Sequence, residues 1–255
     1  MSGRKRALGI GAAIAAATTI GVSASAEAAF PNFSGCNQSI TDFGGCLNIQ
    51  SRSGSLDIKG FTVPLGDSIE VRGSVTQPDA GFRFTAARGT SGFIARPIQV
   101  PGGILGIDFP IPGNAVTATA VLAGSPSDIR VDLPTISLSL PIKLELQNPL
   151  IGPLCRIGTD SNPVHLNLIT GTTNPAPPNR PITGAIGTSN ISATGITITG
   201  NVNVDNGFAI PGASNCGLGI GLINTLIDAK LKLPSAGGNN TMISTNDVAL
   251  GVPAP

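Results

Sequence analysis

The sequence contains no tryptophan and no tyrosine, and only 11% of its 255 residues are charged. Proteins that bind nucleic acid usually combine a basic patch with aromatic side chains on which the bases stack. Here 15 lysines and arginines are balanced by 14 acidic residues, for a net charge of +1. The composition therefore excludes nucleic acid as an expected partner. A disordered chain is also excluded, because 41% of the residues are hydrophobic.

Catalytic groups are equally scarce, since His165 is the only histidine. A Ser-His-Asp triad would have to use it, and the sequence has no G-x-S-x-G motif. His165 alternates with Val164, Leu166 and Leu168, which predicts a position on the polar face of a strand. The cysteines do not form the closely spaced pairs of a zinc site. We therefore expect a protein without enzymatic activity, with no catalytic residue, no metal site and no cofactor.

The amino-terminal segment has the pattern of a secretory signal peptide. Basic residues at positions 4–6 precede an uncharged apolar run over residues 7–22, and small residues follow. The apolar run is shorter than the ~20 residues of a membrane-spanning helix. The small-residue rule favours cleavage after Ala28, with cleavage after Ala26 as the alternative. We expect export through the Sec pathway, loss of residues 1–28, and an extracellular or envelope-associated mature protein.

Four cysteines follow the expected cleavage site, at Cys36, Cys46, Cys155 and Cys216. An even number of cysteines in an exported chain predicts disulfides. Three connectivities are open. Chain geometry favours Cys36 with Cys46 and Cys155 with Cys216, because the first pair brackets a short glycine-containing loop.

Hydrophobic and polar residues alternate over much of the remaining chain, as in half-buried β-strands. The longest alternating segments are residues 136–147 and 196–204. Shorter ones lie at residues 56–59, 69–75, 82–86, 116–121, 129–133 and 164–168. In the second long segment the residues expected to face inward are Ile196, Ile198, Val202 and Val204. Pro141 lacks a backbone donor, which predicts that its strand lies at a sheet edge or contains a bulge.

The strand spacing predicts an all-β fold, either an antiparallel sandwich or a barrel-like arrangement. One segment differs, because apolar residues recur at helical spacing over 222–227 and Pro234 closes the run. We expect one short helix near residues 218–231.

The exported region, residues 29–255, has a suitable length for one large β domain or two smaller lobes. If there are two lobes, we expect the boundary near residues 148–153. There the long alternating segment gives way to a turn that contains proline and glycine.

An oxygen-rich cluster is formed by Asn201, Asn203, Asp205 and Asn206, followed by Gly207. The first three have the spacing of a calcium loop, but the glycine is displaced by one position and a bidentate glutamate is missing. The pattern instead favours a solvated strand face that runs into an Asn-Gly turn.

Several short motifs lie within residues 150–245. They are GPLCRIGT at 152–159, NP at 162–163, LITGTT at 168–173, PITG at 181–184, DNGFAIPGA at 205–213 and CG at 216–217. These motifs resemble those of a group of secreted actinobacterial proteins of unknown function. The resemblance implies that Cys155 and Cys216 belong to one unit. It implies no catalytic residue, because the group has no assigned activity.

Together these observations predict a non-enzymatic secreted or envelope-associated β protein with a structural or adhesive role. The alternative is a carrier of an apolar, lipid-like ligand, since a β cavity with few charges suits a lipid. An outer-membrane β-barrel is a third reading, because alternating strands of about ten residues have the right length. The missing aromatic girdles and the 21 prolines count against that reading. A continuous apolar cavity would favour the carrier.

Overall fold

A computed structural model describes residues 30–77, 82–103, 112–125, 129–132, 135–217 and 222–253. Residues 1–28, to which the signal-peptide prediction applies, lie outside these ranges. The described elements, in chain order, are β1 Phe43–Ile58, β2 Phe61–Pro64, β3 Ile69–Thr76, β4 Arg83–Ala86, β5 Phe93–Ala95, β6 Ile98–Gln99, β7 Thr117–Leu122, β8 Arg130–Asp132, β9 Ser137–Gln147, β10 Arg156–Ile157, β11 Val164–Leu168, β12 Thr188–Ser192, β13 Gly195–Asp205, β14 Ala213–Ser214, α1 Leu222–Leu231 and β15 Asn240–Gly251.

The strands form two antiparallel sheets. In the first the order is β12-β13-β15-β1-β3-β4, with β2 also paired to β1 and β5 to β3. In the second the order is β14-β10-β9-β7-β6, with β8 and β11 also paired to β9. The inner faces of both sheets contribute to one hydrophobic core. The prediction of an all-β, sandwich-like fold with one short helix is confirmed.

The core contains residues from both sides of residues 148–153. Leu47 and Val71 are completely buried on the first sheet, while Leu140 and Ile157 are about as well covered on the second. All four belong to the same hydrophobic cluster. Strand β9 lies at the centre of the second sheet. Its alternation places Leu138, Leu140 and Ile142 on one face, which is buried.

Pro141 lies in a central strand, so the prediction that it marks an edge or a bulge is wrong. Its carbonyl accepts a hydrogen bond from Ala123 N at 3.0 Å, and its nitrogen therefore points to the same flank. On that flank, pairing with β7 ends at Ile142 and pairing with β8 begins at Ser139. The nitrogen of Pro141, which has no hydrogen to donate, thus lies between the end of β7 and the start of β8, where no residue of a described strand needs a donor.

The alternation predicted for residues 196–204 changes faces part-way along β13. A bulge separates Ile198 from Asn201, where the register advances by three residues on β13 and by two on β15. Gly200 adopts a φ of +71° there, a left-handed conformation that favours glycine. Asn201 therefore takes the inward position, and Ile196 is 40% exposed. The prediction that Ile196 packs inward is wrong.

Helix α1 confirms the helical segment predicted near residues 218–231, although residues 218–221 lie outside the described ranges. The favoured disulfide pairing is also confirmed. Cys36–Cys46 closes a loop with a sequence separation of 10 and joins the segment before β1 to β1 itself. Cys155–Cys216 closes one with a separation of 61 and joins the start of β10 to the chain after β14.

Candidate functional site

The candidate site lies at the edge where the second sheet meets the first. Ile169, directly after β11, exchanges backbone hydrogen bonds of 3.0 and 2.9 Å with Val204 of β13. Ala185 and Val202 form a second reciprocal pair, at 2.9 and 2.8 Å. This junction places the outward-facing residues of β11 beside the end of β13 and the loop that follows.

Asp205 extends the junction with its side chain. Its Oδ2 accepts a hydrogen bond from the backbone N of Asn167 at 2.6 Å, and its Oδ1 accepts one from Gly207 N at 2.9 Å. The residue is only 6% exposed. Burial raises the pKa of Asp205 above its ordinary value, although the two backbone donors act in the opposite direction.

A cleft of about 560 Å³ opens beside Asp205. This volume falls within the range of about 300–1,000 Å³ that is typical of small-molecule sites. Asp205 is the one acidic residue in the described wall, which contains no lysine or arginine. The wall residues are Asn162, Pro163, His165, Asn167, Ile169, Thr172, Thr173, Asn174, Pro175, Asp205, Gly207, Phe208, Ala209 and Pro211.

Four side chains in this wall are exposed and have polar atoms without a hydrogen-bond partner in the described structure. They are Asn162, His165, Asn167 and Asn174. By contrast, Thr172 Oγ1 lies 2.8 Å from Thr183 Oγ1, and the Thr173 hydroxyl binds the backbone of Ile182. The cleft therefore presents three amides and one imidazole to a ligand.

The loop that carries Phe208 is held in place from behind. Asn240 Nδ2 donates to Phe208 O at 2.9 Å, and Asn206 Nδ2 donates to Arg180 O at 2.8 Å. Asn179 Nδ2 donates to Asn206 O at 3.0 Å and to Asn240 O at 2.9 Å. Because Asn206 and Asn240 are almost completely buried, this wall of the cleft is fixed before any ligand arrives.

Asn201 and Asn203 do not belong to a solvated strand face, so that prediction is wrong. They are 0% and 3% exposed, because the bulge in β13 turns them toward the second sheet. Asn203 Nδ2 donates to Ile136 O at 2.7 Å, while its Oδ1 accepts from Asn201 and Asn246 at 2.6 and 2.9 Å. The Asn203 oxygen is thus committed to two protein donors, whereas Asn201 Oδ1 is buried without a partner in the described structure. The described residues also contain no group of three histidines, cysteines or acids able to hold a metal ion.

His165 separates the first cleft from a second, of about 430 Å³. Arg130 and Asp160 lie in the wall of the second cleft. Asp160 Oδ1 accepts a hydrogen bond from Lys143 Nζ at 2.7 Å, and this bond, with the lysine charge, lowers the pKa of Asp160. The exposed position of His165 on β11 confirms its predicted place on the polar face of a strand.

The apolar space is smaller. Between the sheets an apolar cavity of about 60 Å³ remains, with Ile58, Leu144 and Met242 in its wall. An apolar groove of about 200 Å³ runs beside α1, and its wall includes Leu226 and Leu150. Val100, Leu146 and Leu231 line both spaces, so the groove adjoins the interior.

The structure brings together only some of the residues that the sequence singled out. The four cysteines are cross-links and line neither cleft. His165 and Asp205 meet in one cleft wall. Sequence reasoning missed Asn162, Asn167 and Asn174, since exposed asparagines are common in loops. The available signal was the cluster Asn201, Asn203, Asp205 and Asn206 at the end of an alternating strand.

No helix among the described residues has the length and hydropathy to cross a membrane. Comparison with protein-family models, curated proteins and solved structures gives no match. The function therefore has to be argued from the geometry of the chain itself.

Proposed function

We propose that this chain is an exported, non-enzymatic adhesive module that holds a ligand in the polar cleft beside Asp205. The observation that carries the proposal is the distribution of open space. Among the described residues, the apolar cavity between the sheets has about 60 Å³, whereas the surface cleft has about 560 Å³ and presents unpartnered polar groups. A protein that stores an apolar ligand between its sheets needs a large apolar cavity in the interior.

Export is part of the same proposal. The two disulfides are typical of an oxidising compartment, and the amino-terminal pattern supplies a signal sequence. Intact mass of material recovered from the medium or envelope should correspond to a chain beginning at Ala29 or Glu27. A mass that includes residues 1–26, or a diacylglycerol on Cys36, contradicts this part.

Adhesion is tested by co-sedimentation of the oxidised protein with isolated bacterial envelope fragments. Phospholipid vesicles serve as the comparison surface. We expect saturable binding to the fragments, reduced by Asn167→Leu and unchanged by Asn190→Leu. Asn190 is a matched control because it is an exposed asparagine on β12, outside the cleft. Equal binding to fragments and vesicles, or no binding, contradicts adhesion. Hydrolysis of ester, peptide or glycoside substrates contradicts the non-enzymatic assignment.

A second candidate function is the transport of an apolar chain in the groove beside α1. The observation in its favour is that Leu150 and Leu226 are 67% and 57% exposed at a groove that adjoins the interior. Native mass spectrometry after exposure to a C16 fatty acid tests it. Retention of one fatty acid, lost in Leu226→Glu but kept in Ile191→Glu, supports transport. The second variant is the control because Ile191 is 76% exposed on β12.

A further inference from the structure

We infer that the cleft beside Asp205 recognises a neutral, hydroxyl-rich ligand, namely a saccharide, through the side chains of Asn162, His165, Asn167 and Asn174. This inference rests on the proposed adhesive function and assigns its ligand class. Three properties of the cleft wall support it, namely its charge, its polar groups and its apolar surface.

The charge of the wall excludes anions. No lysine or arginine is among the described wall residues, and the carboxylate of Asp205 is buried at its side. Phosphate and carboxylate ligands are held by arginine forks, lysines or clusters of backbone N–H groups. Here two backbone donors of the wall, Asn167 N and Gly207 N, are already bound to Asp205. An acidic ligand would therefore face the carboxylate of Asp205 without a lysine or arginine to balance its charge.

The polar groups of the wall match hydroxyl groups. A side-chain amide offers two N–H donors and a carbonyl acceptor, and a neutral imidazole offers one of each. A sugar hydroxyl also donates once and accepts, so three amides and one imidazole can satisfy several hydroxyls of one ring. Each oxygen of Asp205 accepts one backbone hydrogen bond and keeps a lone pair for a hydroxyl donor.

The remaining wall suits the carbon face of a sugar ring. Pro163, Pro175 and Pro211 supply rigid apolar surface, and Phe208 lies beside them. The alternation of such surface with unpartnered amides is the mixed lining of small-molecule sites, in which a few polar groups set the orientation. Because Asn206 and Asn240 fix the Phe208 loop, this part of the wall needs little ordering when a ligand binds.

Ligand-observed NMR with the oxidised protein tests the inference. The probes are neutral glucose, galactose, mannose and arabinose oligosaccharides, with inorganic phosphate and spermidine as charged comparisons. We expect saturation transfer to at least one oligosaccharide and no broadening of the ³¹P resonance of phosphate. Asn167→Leu and His165→Ala should each weaken that binding by about tenfold, since each leaves sugar hydroxyls unpaired. Asn190→Leu should leave it unchanged. Both altered residues are exposed, so circular dichroism should show that the variants stay folded.

Three results overturn the inference. They are the absence of binding to every oligosaccharide, equal loss in Asn167→Leu and Asn190→Leu, and preferential binding of spermidine that is lost in Asp205→Asn. The adhesive function is separable from the ligand class. Envelope binding that depends on Asn167 without any saccharide binding retains adhesion and rejects the saccharide. If the protein binds neither envelope fragments nor saccharides, the adhesive function and the saccharide are both rejected.

Discussion

Lys59 and Lys232 each bind the backbone of the segment that carries the other. Lys59 Nζ donates to Lys232 O at 2.7 Å and to Pro234 O at 3.0 Å, and Lys232 Nζ donates to Lys59 O at 2.9 Å. Lys59 is in the turn after β1, and Lys232 directly follows α1. Two lysines therefore join the end of the helix to the first sheet by binding backbone carbonyl groups. One of these carbonyls, that of Lys232, directly follows the carboxyl end of the helix.

The first prediction concerns this link. Lys59→Met removes the donor to two carbonyls and should lower the free energy of unfolding by about 1 kcal/mol, since the bonds are exposed. Guanidinium unfolding followed by circular dichroism measures the change. Arg83→Met is the control, because Arg83 is an exposed cation on β4 whose side chain has no bond in the described structure. An equal effect of the two substitutions would show that the loss of a positive charge, and not the loss of the hydrogen bonds, changes the stability.

The second prediction concerns the pH dependence of stability at Asp205. Its pKa is raised in the folded protein, so between the unfolded value near 3.8 and the raised value the folded state binds more protons. The stability of the wild type should therefore fall, relative to Asp205→Asn, as pH rises through that interval. Chemical unfolding at a series of pH values, with the difference between the two proteins plotted against pH, measures this slope.

Asp160→Asn provides the comparison of opposite sign. The pKa of Asp160 is lowered by Lys143, so its contribution to stability is present above the unfolded value near 3.8 and is lost as pH falls. The free energy of unfolding of the wild type should therefore increase relative to that of Asp160→Asn as pH rises. The gain should be small because Asp160 is exposed. Slopes of the same sign at the two positions would contradict the environments described for them.

The third prediction ranks the disulfides. In the chain-entropy relation, a closed loop of 61 residues stabilises the fold by about 4 kcal/mol and a loop of 10 residues by about 3 kcal/mol. Replacing Cys155 and Cys216 by serine should therefore cost more than replacing Cys36 and Cys46. Serine would be buried at both Cys155 and Cys216 but at only one position of the other pair, Cys46, which adds to the difference. Denaturant midpoints of the two double variants decide the order.

The fourth prediction concerns the buried asparagines. Asn203→Ala removes the side-chain donor to Ile136 O and the acceptor shared by the amides of Asn201 and Asn246, and Asn246 keeps only its bond to Ser244 O at 3.3 Å. The substitution should cost about 2–4 kcal/mol. Asn190→Ala, on the exposed strand β12, should change stability by less than about 0.5 kcal/mol. A small effect of Asn203→Ala would mean that water replaces the lost amide.

Local patterns were sufficient for much of the architecture. The alternation around Leu138 and Leu140 predicted both the strand and its buried face, because a regular strand has a period of two. The same reasoning failed in β13, where one extra residue at Gly200 exchanges the faces. A bulge of this kind has no distinct signal in a sequence that is already rich in glycine.

The candidate site was less accessible to sequence reasoning, because its parts are distant in the chain. Asn167 and Asp205 are joined by a hydrogen bond across 38 positions. The Pro141 prediction failed for a related reason, since a proline is tolerated in a central strand where two partner strands leave a gap. Neighbours of this kind are set by the pairing of strands, which no local pattern specifies.

The position of β15 makes completion of the larger sheet depend on residues near the carboxyl terminus. It pairs with β1 from Cys46↔Gly251 to Ile58↔Asn240, and on its other side it pairs with β13. Strand β1 therefore gains this partner only when residues 240–251 are available, and the larger sheet stays in two halves until they pair. Such distant pairing slows folding, because a long loop must close before the contact forms. A chain ending before residue 240 would present two unpaired edges instead of a sheet.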